Sequence, residues 1–291
     1  MDQLITLPNT GINQHGIAGP DNSSATHTGG ANFRHASGVA DNDGNLQYAI
    51  QGNVLTGRPV VTMAEQTLLN TPGDLADRLM AAMETAREFG GDGRCSCPSG
   101  PDADSCGAPP ANFEKSAHVG FFILSRFGDQ DDPQCTANGC ADGDYYLNIN
   151  IAAQPASAPD PVIQMRTEFD NQRTDLLDRP DSVQSTVSFT PVAEGFLLTL
   201  ELVDHTGQDL GTGVNNVSIV HAPDSASNSQ IGPVIDNNDG SYSSVLTVAD
   251  LVGDDVFLIT IEDGTRTVIV PPRLATLGTE TFFADGFEQI N

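Results

Sequence analysis

Leu46-Gln47-Tyr48-Ala49-Ile50-Gln51-Gly52-Asn53 runs an alternating apolar stretch directly into a glycine, and two later stretches fall into place around it. Thr71-Pro72-Gly73-Asp74 opens a helix, and Gly90-Gly91-Asp92-Gly93-Arg94 follows its end. The alternation predicts a strand over 46–50 that turns at Gly52. Pro59 suits the first turn of a helix running to about Leu69. In the next helix Thr71 is the expected cap, Pro72 the first helical residue, and Asp74 the acid that reaches back to the cap. Leu75, Leu79, Ala82, Met83 and Ala86 then recur at three- and four-residue steps and form one apolar stripe. Gly90 supplies the left-handed stop.

Outward from this centre, residues 1–50 alternate short apolar runs such as Ile12 to Ala18 with Gly/Asn/Asp turns, which reads as short strands. Residues 93–115 are a Pro/Gly/Cys insertion, Ala117 to Phe127 an apolar strand with His118 packed in it, and 129–144 an acidic loop. A strand over Tyr145 to Ala152 precedes a helix from Pro161 to Leu177 with Val162, Met165 and Phe169 on one side. Arg179-Pro180-Asp181 begins a linker. From about Thr186 the helical period disappears. Strands over Phe196 to Leu202, Val214 to His221, Ser241 to Val248, Val256 to Ile261 and Arg266 to Val270 are separated by turns such as Asp204-His205-Thr206-Gly207 and Asn237-Asn238-Asp239-Gly240. That spacing predicts an antiparallel sandwich. The expected organisation is a first domain over 1–180, a β-sandwich over 186–275 and a disordered tail over 276–291.

Thirty-nine acids against 12 bases give a net charge of −27. Such a surface repels nucleic acid and anionic bilayers, and favours cations, neutral glycans or peptides, and basic proteins. The plain reading is a solubility device for a secreted or salt-adapted protein. No apolar run reaches the length of a membrane span. The opening Met1-Asp2-Gln3-Leu4 has no signal-peptide pattern. Five cysteines lie in two loop clusters, Cys95, Cys97 and Cys106, then Cys135 and Cys140. Disulfides in an oxidising compartment are the first reading, with Cys135 to Cys140 the shortest closure and one cysteine left over. Zinc on Cys95-x-Cys97 is the rival, at spacings unlike a standard zinc site. Asp129, Asp131, Asp142 and Asp144 offer oxygen ligands for calcium without matching an EF-hand, so solvated loops are the simpler reading. No cofactor is expected.

Ala25-Thr26-His27-Thr28-Gly29, Tyr48 to Leu55, Leu75-Ala76-Asp77-Arg78-Leu79, Gly90-Gly91-Asp92-x-Arg94, Ser116-Ala117 and Asp160-Pro161-Val162 with Arg166 together resemble domain-of-unknown-function family 1028 over roughly residues 8–178. This is a secreted bacterial group placed among Ntn-hydrolase-like (N-terminal nucleophile) folds. The resemblance implies an α+β chain built on a four-layer αββα sandwich. The 186–275 segment is similar to invasin-like bacterial Ig-like modules, through Leu198 to Gly207 and Asp239-Gly240-Ser241-Tyr242. An Ntn hydrolase attacks amide or peptide bonds with a Ser, Thr or Cys at its mature N-terminus. Met1 and Asp2 supply neither hydroxyl nor thiol. The expectation is therefore an N-terminally shortened, incomplete domain that has lost its signal peptide with its nucleophile. Its unpaired sheet edge would invite a homodimer.

No catalytic residue is assigned from the sequence. Thr28, Gln51, Asn53, Asp92 and Arg94 are the expected pocket residues, with Asp92 and Arg94 as an ion pair. The structural alternative is that Gln51 and Asn53 tie down a turn while Asp92 and Arg94 brace the helix exit. Two functions follow. One is amide or peptide-bond hydrolysis in a full-length form acting on a small-molecule or peptide substrate. The other is a non-catalytic extracellular module that binds a protein or glycan through the Ig-like domain.

Overall fold

Residues 11–19, 23–100, 105–129, 145–152, 154–155, 157–211, 216–223, 225, 229–247, 252–262, 267–270 and 272–277 are described by a computed structural model. Cys135, Cys140, Asp131, Asp142, Asp144 and the tail from residue 278 lie outside the described residues. The architecture is mixed α and β, and contacts divide the chain into two units. The first takes residues 1–125 and 130–171, the second 126–129 and 172–291.

Three antiparallel hairpins carry the first unit. β1 (Gln14–Ala18) pairs with β2 (Ser24–Thr28), β3 (Ser37–Asp43) with β4 (Leu46–Gly52), and β5 (Gly120–Leu124) with β6 (Leu147–Ile151). Because side chains alternate across a strand, β4 has two different faces. Leu46, Tyr48 and Ile50 meet Ala64 and Leu68 of α1 (Pro59–Asn70) and Leu79 and Ala82 of α2 (Leu75–Glu88). The Tyr48 hydroxyl donates to Glu65 on α1 at 2.8 Å. Burial first, and then that carboxylate, pushes the phenol up to about 12. The opposite face of β3–β4 lies under β1–β2. Gly16 sits on the Gln51 amide and Gly38 on Thr26, so that a side chain at either glycine would collide.

The cap of α2 differs from expectation. Thr71 is extended and its N–H closes α1 on Thr67 at 2.9 Å. Asp74 caps α2 instead, in a reciprocal box with Asp77. Gly73, at φ +106°, lies outside helical space and prevents an earlier start. The exit follows expectation, with Gly90 and Gly91 both left-handed. A short α3 (Gly93–Ser96) follows. β5 starts at Gly120, not Ala117, which leaves His118 exposed on the approach and not packed in a strand. α4 (Pro161–Asp175) buries Val162, Met165 and Phe169, and Phe122 of β5 meets Phe169 edge-on at 5.6 Å. No helix among the described residues is long and apolar enough to cross a membrane.

The second unit is two antiparallel sheets around one core. β10 (Gln230–Ile231), β12 (Ser241–Thr247), β8 (Gly195–Glu201) and β7 (Thr186–Val192) form one sheet in that order, with β11 (Ile235–Asp236) also on β12. In the other, β13 (Val252–Glu262) takes β9 (Asn216–His221), β14 (Thr267–Val270) and β15 (Arg273–Leu277). Phe196, Leu198, Leu200 and Leu246 of the first sheet pack with Phe257, Ile259 and Ile261 of β13. Pro191, which cannot donate to a ladder, lies on edge strand β7. The predicted turn at Asp204 is an Asx turn. Its Oδ1 accepts from the Thr206 hydroxyl at 2.6 Å, the Thr206 N–H at 2.8 Å and the Gln208 N–H at 3.1 Å.

Burial of Asp204 works against its charge, but these hydrogen bonds outweigh it and hold the carboxyl below the usual range. Its stabilisation is therefore complete above the ordinary carboxyl value and is lost as pH falls through the lower folded value. Asp204→Ala is expected to cost the second unit roughly 2 kcal/mol at pH 7 by leaving buried donors unmet. Urea unfolding measured at several pH values should show the gap between wild type and variant closing in acid.

Candidate functional site

The edge of β4 away from β3 borders an open apolar slot. Among the described residues β4 pairs only with β3, and on its other side two adjoining cavities of about 290 and 430 Å³ follow it from Leu46 to Leu55. Their floor is the α2 stripe read from the sequence, Leu75, Leu79, Met83 and Ala86, joined by Val60, Val61 and Ala64 of α1 and by Val162 and Met165 of α4. The far wall of the smaller cavity is Ser116, Ala117, Val119 and Gly120, at the entry to β5, whereas the larger cavity is bordered by Ala18 of β1.

Backbone pairing at one end fixes the width of this slot. The Gly93 N–H donates to Val54 at 2.7 Å and the Thr56 N–H to Gly91 at 3.0 Å, so Asp92 lies beside Leu55 as a strand would. On its other side the Asp92 N–H donates to the Ser116 carbonyl at 2.8 Å. One chain therefore spans the distance from the end of β4 to the approach of β5, and two strand spacings are about 9.5 Å. Beyond Asp92 no described strand pairs with this edge of β4. Gly91 makes the junction possible. A Cβ there would stand 2.5 Å from the Ser116 carbonyl, and φ is +51°. Val54, a β-branched residue at φ +56°, adds local strain at this closed end.

The polar groups at the closed end are layered. Asp160 is wholly buried and accepts from the Ser116 N–H at 2.5 Å and the Val162 N–H at 2.8 Å, capping α4 ahead of Pro161. Arg87, in the last turn of α2, lines the slot with its guanidinium 5.7 Å from the Phe113 ring centroid. Its Nε is 3.6 Å from Asp160 and, though buried, makes no hydrogen bond. Asp92 is taken up by Arg94, whose Nε and Nη2 reach its two oxygens at 3.0 and 2.5 Å.

The five predicted pocket residues divide. Gln51 and Asp92 line the slot. Thr28 and Asn53 are instead joined through Gln14, which donates to the Thr28 hydroxyl at 3.0 Å and to the Gly52 carbonyl at 2.9 Å. Gln14 also accepts from the Asn53 amide at 3.0 Å. Arg94 is largely exposed beyond its ion pair. Arg87 and Ser116 as slot residues were missed by sequence reasoning. The Asp160-Pro161 pair, a cap followed by a first-turn proline, is the signal that marks the helix start beside them.

Cys97 pairs with Cys106, which removes it from any zinc set, and Cys95 is a free thiol. Burial, with the Asp92 carboxylate second, pushes that thiol up to about 11, so it is protonated and unreactive at neutral pH. Asp129 accepts the Arg126 N–H at 2.8 Å within its own turn. Among the described residues no three His, Cys, Asp or Glu side chains gather for a metal. The Thr56 and Ser96 hydroxyls bond each other at 2.8 Å, buried. In the second unit Ser225 and His221 both face Asp255, at 3.0 and 2.8 Å, and the far nitrogen of His221 meets the Ser229 carbonyl. The imidazole therefore does not address the hydroxyl, as a Ser-His-Asp triad requires.

Residues 6–99 match the model of a family described as a family of unknown function (DUF1028). The match spans β1 to α3 and stops before β5, α4 and the second unit. No curated protein matches the chain.

Asp160→Ala would leave two buried N–H groups unmet and Arg87 without its counter-ion. A loss of about 3 kcal/mol is expected in the first unit, read as a lower denaturant midpoint, while Asp92→Ala at the partly exposed pair should cost under about 1 kcal/mol.

Proposed function

We propose that the first unit binds one extended polypeptide segment and takes it in as a strand between β4 and the approach of β5. The observation that carries this is the lane itself, one strand wide at its Asp92 end, apolar on its helical floor, and bordered by the edge of β4 that no described strand pairs. Strand addition draws affinity from main-chain hydrogen bonds and specificity from alternate side chains. An occupant with apolar residues at every second position would cover Leu79 and Met83 and pair with the β4 edge. A folded partner or a second copy of this chain presents more than one strand's width and does not enter a lane closed by Asp92 and walled by Ser116 to Gly120.

Amide hydrolysis is the second reading, favoured by the same lane. In a longer form, a first strand starting with Ser, Thr or Cys could fill it. The layers of β1–β2, β3–β4 and the α1–α2 pair would then belong to an αββα sandwich of Ntn-hydrolase type. The two-sheet second unit is consistent with a bacterial Ig-like module, and the acidic, disulfide-bearing chain with a secreted protein. In such a longer form the lane would be closed to strand addition by a separate peptide.

Selection from a displayed library of random decapeptides should converge on sequences with alternating apolar residues. Met83→Asp, at a half-buried floor position, should weaken the selected peptides at least tenfold by fluorescence polarisation while leaving the circular dichroism spectrum unchanged. No enrichment, or equal binding to the variant, would overturn peptide binding. Dimerisation lost on Met83→Asp would assign the lane to a second copy.

A further inference from the structure

The lane has an open end and a closed one, and a cation, Arg87, lines the cavity at the closed end. Beside Val54 to Thr56 the strand position is already occupied by Gly91–Gly93, so a segment lying along β4 stops there. The group that reaches this point is a chain end or the residue next to it. A terminus brings a full charge, an amine at one end and a carboxylate at the other, and the residues at the stop discriminate between them.

The acids at this point are already satisfied. Both oxygens of Asp92 accept from Arg94, and its Oδ1 also takes the Arg94 backbone N–H at 2.9 Å. Asp160 is fully enclosed and accepts two backbone N–H groups, leaving no exposed oxygen to meet an incoming amine. Arg87 is the opposite case. It lines the cavity with a quarter of its side chain exposed, and only its buried Nε is turned to Asp160, at 3.6 Å, beyond hydrogen-bonding distance. A guanidinium presents five donors in a planar fork suited to a carboxylate. The Phe113 ring beside the guanidinium limits its swing.

Resting on the strand-addition reading above, we infer that the slot recognises the free C-terminus of its peptide, with Arg87 binding the terminal α-carboxylate. The ligand class is an extended peptide ending at the lane, with apolar side chains alternating towards α2. An internal loop of a folded protein does not satisfy the closed end. Arg87 is thus a specificity-determining residue for this ligand and needs no part in any bond-breaking step.

The test uses the full chain and a selected decapeptide made in three forms: free acid, C-terminal amide, and N-acetylated free acid. The free acid should bind at least tenfold more tightly than the amide, and N-acetylation should change nothing. Arg87→Met should erase the difference between acid and amide. Arg87→Lys should keep the preference for acid. Equal binding of acid and amide to the wild-type chain, a preference for the free amine, or an acid preference that survives Arg87→Met would overturn the assignment. Because the acid and amide comparison is made on the wild-type chain, it holds even if Arg87→Met fails to fold. Failure of all three forms to bind would instead remove the strand-addition reading itself.

Discussion

Asp92 donates its backbone N–H to Ser116 while the residues on either side of it pair with Val54 and Thr56. This rung of three chains sets the spacing of the first unit. It forms because α2 ends in two consecutive left-handed glycines, which turn the chain back between β4 and the approach of β5. At Gly90 a side chain would meet Thr56, and at Gly91 it would meet the Ser116 backbone. Conformation and space both require glycine there. Larger residues would push the two walls of the slot apart or break the rung, and the lane would lose its defined width.

The floor is held from beneath by contacts independent of that rung. Tyr48 and Glu65 tie β4 to α1, and the Thr67 and Thr85 hydroxyls join α1 to α2 at 2.9 Å. Arg166 of α4 lies 3.8 Å from Glu84 of α2, pairs with Asp170 and covers the Phe169 ring. Individually these partly exposed pairs are worth little. Together they hold three helices at a spacing that leaves the stripe residues half-covered, when collapse onto one another would bury more apolar surface. The slot is a consequence of helices fixed elsewhere.

Local features of this arrangement were legible in the sequence. The α1 span, the glycine exit of α2, the apolar side of α4 and the turns at Asp204 and Asn237 each depend on residues within a few positions of one another, which is what periodicity and turn chemistry report. The α2 cap failed because Thr71-x-x-Asp74 and Asp74-x-x-Asp77 satisfy the same pattern, and only the backbone angle of Gly73 separates them. Leu79, Ala82 and Ala86 of the stripe pack towards β4 and α1, while the most buried residues of α2, Ala76 and Met80, lie off it, and periodicity does not distinguish an apolar face buried in a core from one lining an open lane. Gly90-Gly91-Asp92 was read as a helix stop, and its second role as a strand between two hairpins depends on Val54 and Ser116, distant in sequence. Thr28, Gln51, Asn53, Asp92 and Arg94 were grouped by polarity, whereas the fold sorts them by the face of β4 and by the side of the rung on which each lies.

An open apolar lane beside an unpaired strand edge exposes both backbone groups and hydrocarbon, and proteins ordinarily blunt such edges with charge, proline or a bulge. Along β4 none of these devices is present, since Leu46 to Gly52 contains no charged residue and no proline. The charge lies elsewhere, in a chain of net −27 whose mutual repulsion opposes edge-to-edge association of copies. A segment that fills the lane binds the folded unit and not the unfolded chain, so it raises stability in proportion to the logarithm of its concentration over its dissociation constant. The Arg87 guanidinium and the half-covered stripe lie along this one lane, so one occupant would cover both.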